Sequence, residues 1–129
     1  MSANIERFDS GRVLPASVPF CEATAVGGLV FLSGQLGNRP GTLTLVDGGV
    51  QPEARQAMRN IVTVLEAQDL GLATLLRCTV MLADIGEWAA FNEVWSEFFG
   101  DQPMPARSAF GCAGLALAAR VEIECIAAR

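Results

Sequence analysis

Only two segments carry the apolar spacing of a helix, and they lie among segments whose apolar residues alternate as in strands. CEATAVGGLVFLSGQ reads as two short strands turning at Gly27-Gly28, with GNRPGT and VDGG as loop. From Pro52, apolar residues at Ala54, Met58, Ile61, Val62 and Leu65 mark a first helix that ends before Gly71. LLRCTVMLAD alternates, with Leu76, Cys78, Val80 and Leu82 on one face. Asp84 then opens a second helix, with Glu87 in capping-box position and a buried stripe of Trp88, Phe91, Val94, Trp95 and Phe98. Gly100, Pro103 and Pro105 stop that helix, and ARSAFG and ARVEIECIA close the chain as strands. The predicted order is ββαβαββ, an α+β domain with a mixed sheet and two helices on one face.

Two helices cover one face of such a sheet. Yet LVFL and TVML are apolar on both sides, and the last strand offers Val121, Ile123, Cys125 and Ala127 to one face and Glu122, Glu124 and Ile126 to the other. The uncovered face is therefore expected to meet another subunit. With 129 residues, 51% of them apolar, and no repeat or linker, residues 1–129 read as a single domain. The runs VGGLVFL and GLALAA are too short to span a bilayer, and MSANIERFDS is charged where a signal peptide is apolar, so a cytoplasmic protein with no membrane partner is expected.

Absences narrow the chemistry. The chain has no histidine, tyrosine or lysine, which removes imidazole bases, catalytic triads, His-ligated metals, Schiff bases and the Walker phosphate loop. A net charge of −5 with scattered arginines offers no basic stripe for nucleic acid. Cys21, Cys78, Cys112 and Cys125 lie far apart in sequence without a CxxC pair and read as small core hydrophobes, with neither disulfide nor metal site expected. Carboxylate, guanidinium, thiol, hydroxyl and backbone remain.

Two charges then stand out on apolar strands. In PMPARSAF, Arg107 heads one terminal strand, and Glu124 sits within the next; if those strands are neighbours, both side chains reach the face buried by assembly. Spacing alone leaves two readings open. One is an interface ion pair that fixes register. The other is a guanidinium fork for a substrate carboxylate, with the glutamate as acid or base.

VFLSGQ, the ARQAMRNIVTVLEAQDLGL helix, CTVMLADIGEWAAFNEVWSEFF, MPARSAF and VEIECIAAR, in this order over nearly the whole chain, resemble the RidA (reactive intermediate deaminase) family. The resemblance implies a chorismate-mutase-like homotrimer with sites between subunits. It also implies cofactor-free hydrolysis of small 2-imino (enamine) acids to 2-oxo acids and ammonia. By it, the carboxylate-binding arginine falls on Arg107, the water-orienting glutamate on Glu124, a helix asparagine on Asn92, and the SGQ turn on Ser33, Gly34 and Gln35. Glu124, partly desolvated, is expected to have a raised pKa. Backbone groups near Gly34 and Ala109 are expected to complete the cradle.

The chain departs from the family pattern around that cleft. Phe20, after Val18-Pro19, stands where a tyrosine is usual, Ala109 where a cysteine is usual, and GCAGLALAAR lacks the usual Leu-Pro. Several residues have plainer readings: Phe20 as core or lid, Asn92 as an exposed helix polar, Ser33 as turn chemistry, Glu122 as a solvated or interface charge. Two other functions fit the same residues, a non-catalytic carboxylate-binding or chaperone-like trimer and, with less support, a ribonuclease.

Overall fold

The computed structural model describes residues 3–129. Eight elements follow in order: β1 (Glu6–Phe8), β2 (Ala23–Val26), β3 (Leu29–Gln35), α1 (Val50–Glu66), β4 (Leu75–Leu82), α2 (Trp88–Phe99), β5 (Ala106–Gly111) and β6 (Val121–Ala128). They build one six-stranded sheet in the order β1-β2-β3-β6-β4-β5. Every pairing is antiparallel except β4 with β5, so the sheet is mixed as expected. The order is βββαβαββ rather than ββαβαββ. The additional strand, β1, is three residues long, too short for alternation to be read, and it exists by pairing Glu6, Arg7 and Phe8 with Ala25, Thr24 and Ala23.

The Gly27-Gly28 hairpin forms as read, with Val26 opposite Leu29 and Gly27 at a φ of 56°. α1 packs Ala54, Ala57, Met58, Ile61, Val64 and Leu65 into the core, while Val62 is only partly buried. Each large side chain so buried contributes about 1.5–3 kcal/mol. In α2 the row Phe91, Trp95, Phe99 is buried with Val94 beside it, ring centroids 5.9 and 4.8 Å apart along the row. The expected stripe is corrected at two places: Trp88, the first residue of the helix, is 48% exposed, and Phe98 is half-buried on the flank. Nor is there a capping box. A 3-10 turn over Ile85–Glu87 precedes α2, Asp84 accepts from the Gly86 N–H at 2.8 Å, and Glu87 pairs with Arg120.

Both helices cover one face of the sheet, where Val30, Leu32, Cys78, Val80, Leu82, Val121, Ile123, Cys125 and Ala127 are buried. Two bulges edit the alternation. The register of β4 on β6 slips between Leu75 and Arg77, so Leu75 is buried and Leu76, expected on the inner face, is exposed. That of β3 on β6 slips between Leu32 and Gln35. On the uncovered face Leu29, Phe31 and Phe110 are 41%, 39% and 47% exposed. No helix among the described residues is long and apolar enough to cross a membrane.

The long loop between β3 and α1 is held by buried amides. Asn60 on α1 donates to the carbonyls of Leu36 and Asn38, and Asn38 donates to those of Val13 and Thr42. Glu53, also buried, accepts from the Arg120 N–H at 2.8 Å and ties α1 to the start of β6.

Candidate active site

Arg107 lies on β5 in register with Cys78 of β4, and so projects toward the helices. Its guanidinium carbon stands 5.0 Å from the Trp95 ring centroid and 5.5 Å from that of Phe91. Its Nη2 donates to Asn92 Oδ1 at 2.7 Å. Asn92 is thus not a free surface amide, because its Oδ1 holds the arginine. No carboxylate among the described residues pairs with Arg107. Burial lowers the pKa of the guanidinium, the sign expected for a cation drawn partly out of water without a counter-charge. Ala109, two residues along the same face of β5, lines a shallow hollow with Ala83, Ile85 and Cys112.

A second group of predicted residues gathers on β3. Ser33 and Gly34 form the β3 bulge, a strand irregularity rather than the turn expected for SGQ. Ser33 Oγ donates to the Cys21 carbonyl at 2.6 Å, and its N–H donates to Glu22 O at 3.0 Å. This fixes the segment that follows Phe20. Phe20 itself is 50% exposed, outside the core, and lines a cavity of about 350 Å³ with Leu14, Pro15, Val18 and Glu22. Gln35 is buried with its Oε1 unpaired.

The glutamates of β6 lie on the uncovered face as expected, but Glu124 is not the desolvated one. Glu124 is exposed on the uncovered face, in a hollow of about 320 Å³ with Phe31, Arg77 and Thr79. Desolvation falls instead on Glu122, whose carboxyl lies against Gly34. Burial, with the charge of Glu124 second, raises the Glu122 pKa above its ordinary value of 4.5. Glu122 is the candidate that sequence reasoning left as a plain surface charge. A glycine inside the strand VFLSGQ did signal a close approach, but not which strand would supply the neighbour.

The strands of Arg107 and Glu124 are not neighbours, since β4 lies between β5 and β6. Arg107 shares the inner face with Cys78, and Glu122 and Glu124 project from the outer one. At about 4.8 Å per strand, the β3 bulge is roughly 14 Å across the sheet from β5. The two groups of candidate residues therefore do not meet within one chain.

Cys21 and Cys112 are only partly buried, which corrects the reading of all four thiols as core residues. Cys78 and Cys125 are paired across β4 and β6, with sulfurs 3.0 Å apart and both side chains buried; all four cysteines are free. Among the described residues no group of three or more His, Cys, Asp or Glu could hold a metal ion.

Sheet and helices define a small α+β protein whose half-buried Arg107 has no counter-ion among the described residues. The chain belongs to the RidA family: a family model described as endoribonuclease L-PSP matches residues 11–129. It is 40% identical over 128 residues to a goat (Capra hircus) protein named 2-iminobutanoate/2-iminopropanoate deaminase, covering 98% of this chain and 93% of the goat protein. The crystal structure of YEO7 from yeast superposes with a TM-score of 0.90 at 34% identity, over 98% of this chain and 99% of that one. That of Escherichia coli TdcF with bound serine gives 0.87 at 28% identity, over 96% and 98%.

Proposed function

We propose that the protein hydrolyses 2-imino acids to 2-oxo acids and ammonia, without a cofactor, at clefts between the subunits of a chorismate-mutase-like homotrimer. One observation carries the reading. A half-buried guanidinium is held by a neutral amide and two rings, with no carboxylate among the described residues to neutralise it, and so awaits an anion of a substrate. The name of the goat relative and the serine in TdcF support a small amino-acid-derived carboxylate as that anion. The trimer is supported by Leu29, Phe31 and Phe110 on the uncovered face. In such an assembly Arg107 of one subunit can meet the β3 bulge and β6 carboxylates of another.

The reaction adds water to a carbon–nitrogen double bond: R–C(=NH)–COO⁻ and H₂O give R–C(=O)–COO⁻ and NH₃. Arg107 holds the carboxylate. Glu122 takes a proton from water as its oxygen bonds the imine carbon and returns it to the nitrogen, giving a carbinolamine; the hydroxyl proton then passes through Glu122 to the same nitrogen, which leaves as ammonia as the carbonyl forms. Burial, which raises its pKa, makes this carboxylate a stronger base than one in water. In this assignment Glu124, expected from sequence to orient water, acts by its charge on Glu122. Asn92 orients Arg107, Phe20 walls the cleft, and backbone near Ser33, Gly34 and Ala109 lines it. Phe20 and Ala109 leave the cleft without the hydroxyl and thiol usual there, which favours apolar substrate side chains.

The ribonuclease reading carried by the family description finds no histidine, lysine or tyrosine here, and a net charge of −5 opposes the approach of RNA. Four free thiols support a reducing compartment, the cytoplasm. The test is to generate a 2-imino acid with an amino-acid oxidase and follow ammonia and oxo-acid release. Faster release than the uncatalysed rate supports the enzyme; binding without acceleration supports a carboxylate-binding module instead.

A further inference from the structure

An arginine side chain has large rotamer freedom, and a substrate-binding arginine must lose most of it before the substrate arrives. Ion pairing is the usual restraint, but a carboxylate partner would also cancel the charge that the substrate needs. Here the restraint is neutral. Asn92 accepts one N–H of Arg107, and the guanidinium stands over two rings whose centroids lie within cation–π range at 5.0 and 5.5 Å. The rings cannot swing away: Phe91 and Trp95 are buried, and Trp95 is packed in turn on Phe99 with centroids 4.8 Å apart. The other four N–H groups of the guanidinium have no partner among the described residues.

We propose that Trp95, with Phe91 beside it, is a positioning residue for the reaction, fixing the plane of the Arg107 guanidinium so that its free N–H groups face the substrate carboxylate. The inference rests on reading Arg107 as the carboxylate anchor, and goes beyond it by assigning a role in substrate binding to two core aromatics of α2. Their ring faces carry partial negative charge, so they stabilise the cation without competing for its hydrogen bonds. A residue acting through the guanidinium in this way should change substrate affinity far more than turnover.

The chain has two tryptophans, and Trp88 is exposed and outside the site. In a Trp88→Phe protein, Trp95 is therefore the only indole and reports directly on the guanidinium above it. Titrating 2-oxobutanoate, a carboxylate that is not consumed, should give a saturable change in its emission that Arg107→Ala abolishes. In the parent, Trp95→Met keeps an adaptable apolar filler and removes the ring; KM for the 2-imino acid should rise roughly 3- to 30-fold with kcat within about twofold. Trp95→Phe, which restores a ring, should recover most of that loss. A pure packing role would instead lower the melting temperature and the active fraction at constant KM, and that result overturns the proposal. So does a silent titration in the Trp88→Phe protein, which needs no variant of Trp95 to fold. If Arg107→Ala itself leaves both KM and the titration unchanged, the carboxylate-anchor reading fails as well, and the two failures are told apart.

Discussion

The carboxyl group of Glu122 occupies the space over Gly34 into which a side chain at position 34 would have to project. The obstruction is the far end of a flexible side chain, so Gly34→Ala should keep its fold while displacing the carboxyl. We expect kcat to fall about 10- to 100-fold, the scale of a misplaced acid–base group, with the melting temperature little changed. Gly37→Ala is the contrast. A Cβ there would come within 2.5 Å of the Glu53 Cα in α1, and backbone does not yield, so stability should fall by about 1–3 kcal/mol. Thermal melts and steady-state kinetics on both variants check the distinction.

The pH dependence follows from Glu122. Its folded pKa is raised above 4.5 by burial first and by Glu124 second. The folded state therefore holds the proton more tightly than the unfolded one. This stabilisation is fully present below pH 4.5 and is lost as pH rises through the folded value. Glu122→Gln should stabilise the protein at neutral pH relative to the parent. Glu53, raised by burial with the same sign, remains in both proteins and cancels in the comparison. Glu124→Gln should move the acidic limb of kcat/KM to lower pH without abolishing activity, as pH–rate profiles would reveal.

Arg107 separates fork from charge. Lysine keeps the charge but loses the planar N–H pair and the flat cation over Trp95 and Phe91. Arg107→Ala should cost about 1.5–3 kcal/mol of substrate binding, roughly 10- to 150-fold, and Arg107→Lys should recover little of it. Measured KM values for both variants decide this.

The thiols make a prediction independent of catalysis. The hydrogen bond with Cys78, together with burial, pushes the Cys125 thiol up and leaves it protonated at neutral pH. Iodoacetamide should leave Cys78 and Cys125 unmodified until the protein unfolds, with mass spectrometry of the labelled peptides as the readout. Single alanine substitutions at either position should lower stability modestly and leave turnover intact.

The elements legible in the sequence were those with long period: α1, the inner faces of β4 and β6, and the Gly27-Gly28 hairpin. β1 was not, because three residues carry no pattern and its existence depends on β2. Arg107 was legible as a charge on an apolar strand, but its surroundings were not. Asn92, Phe91 and Trp95 reach it from a helix 15, 16 and 12 residues earlier, and only the tertiary packing brings them there. The strand order was least legible. Whether the last two strands are neighbours was left open by the sequence; β4 lies between them, and the register puts Arg107 and the β6 glutamates on opposite faces. With the two on opposite faces, the proposed site takes them from different subunits.

That relation can be measured directly by mixing two crippled proteins. Arg107→Ala lacks the anchor and Glu122→Gln lacks the acid–base group, so each homotrimer should be nearly inactive toward 2-imino acids. If each cleft takes Arg107 from one subunit and Glu122 from the next, unfolding and refolding the two together at equal ratio should restore about a quarter of parental activity, the random frequency of an intact cleft in a three-fold ring. A mixture that reassembles into heterotrimers and stays as inactive as its components would contradict the account.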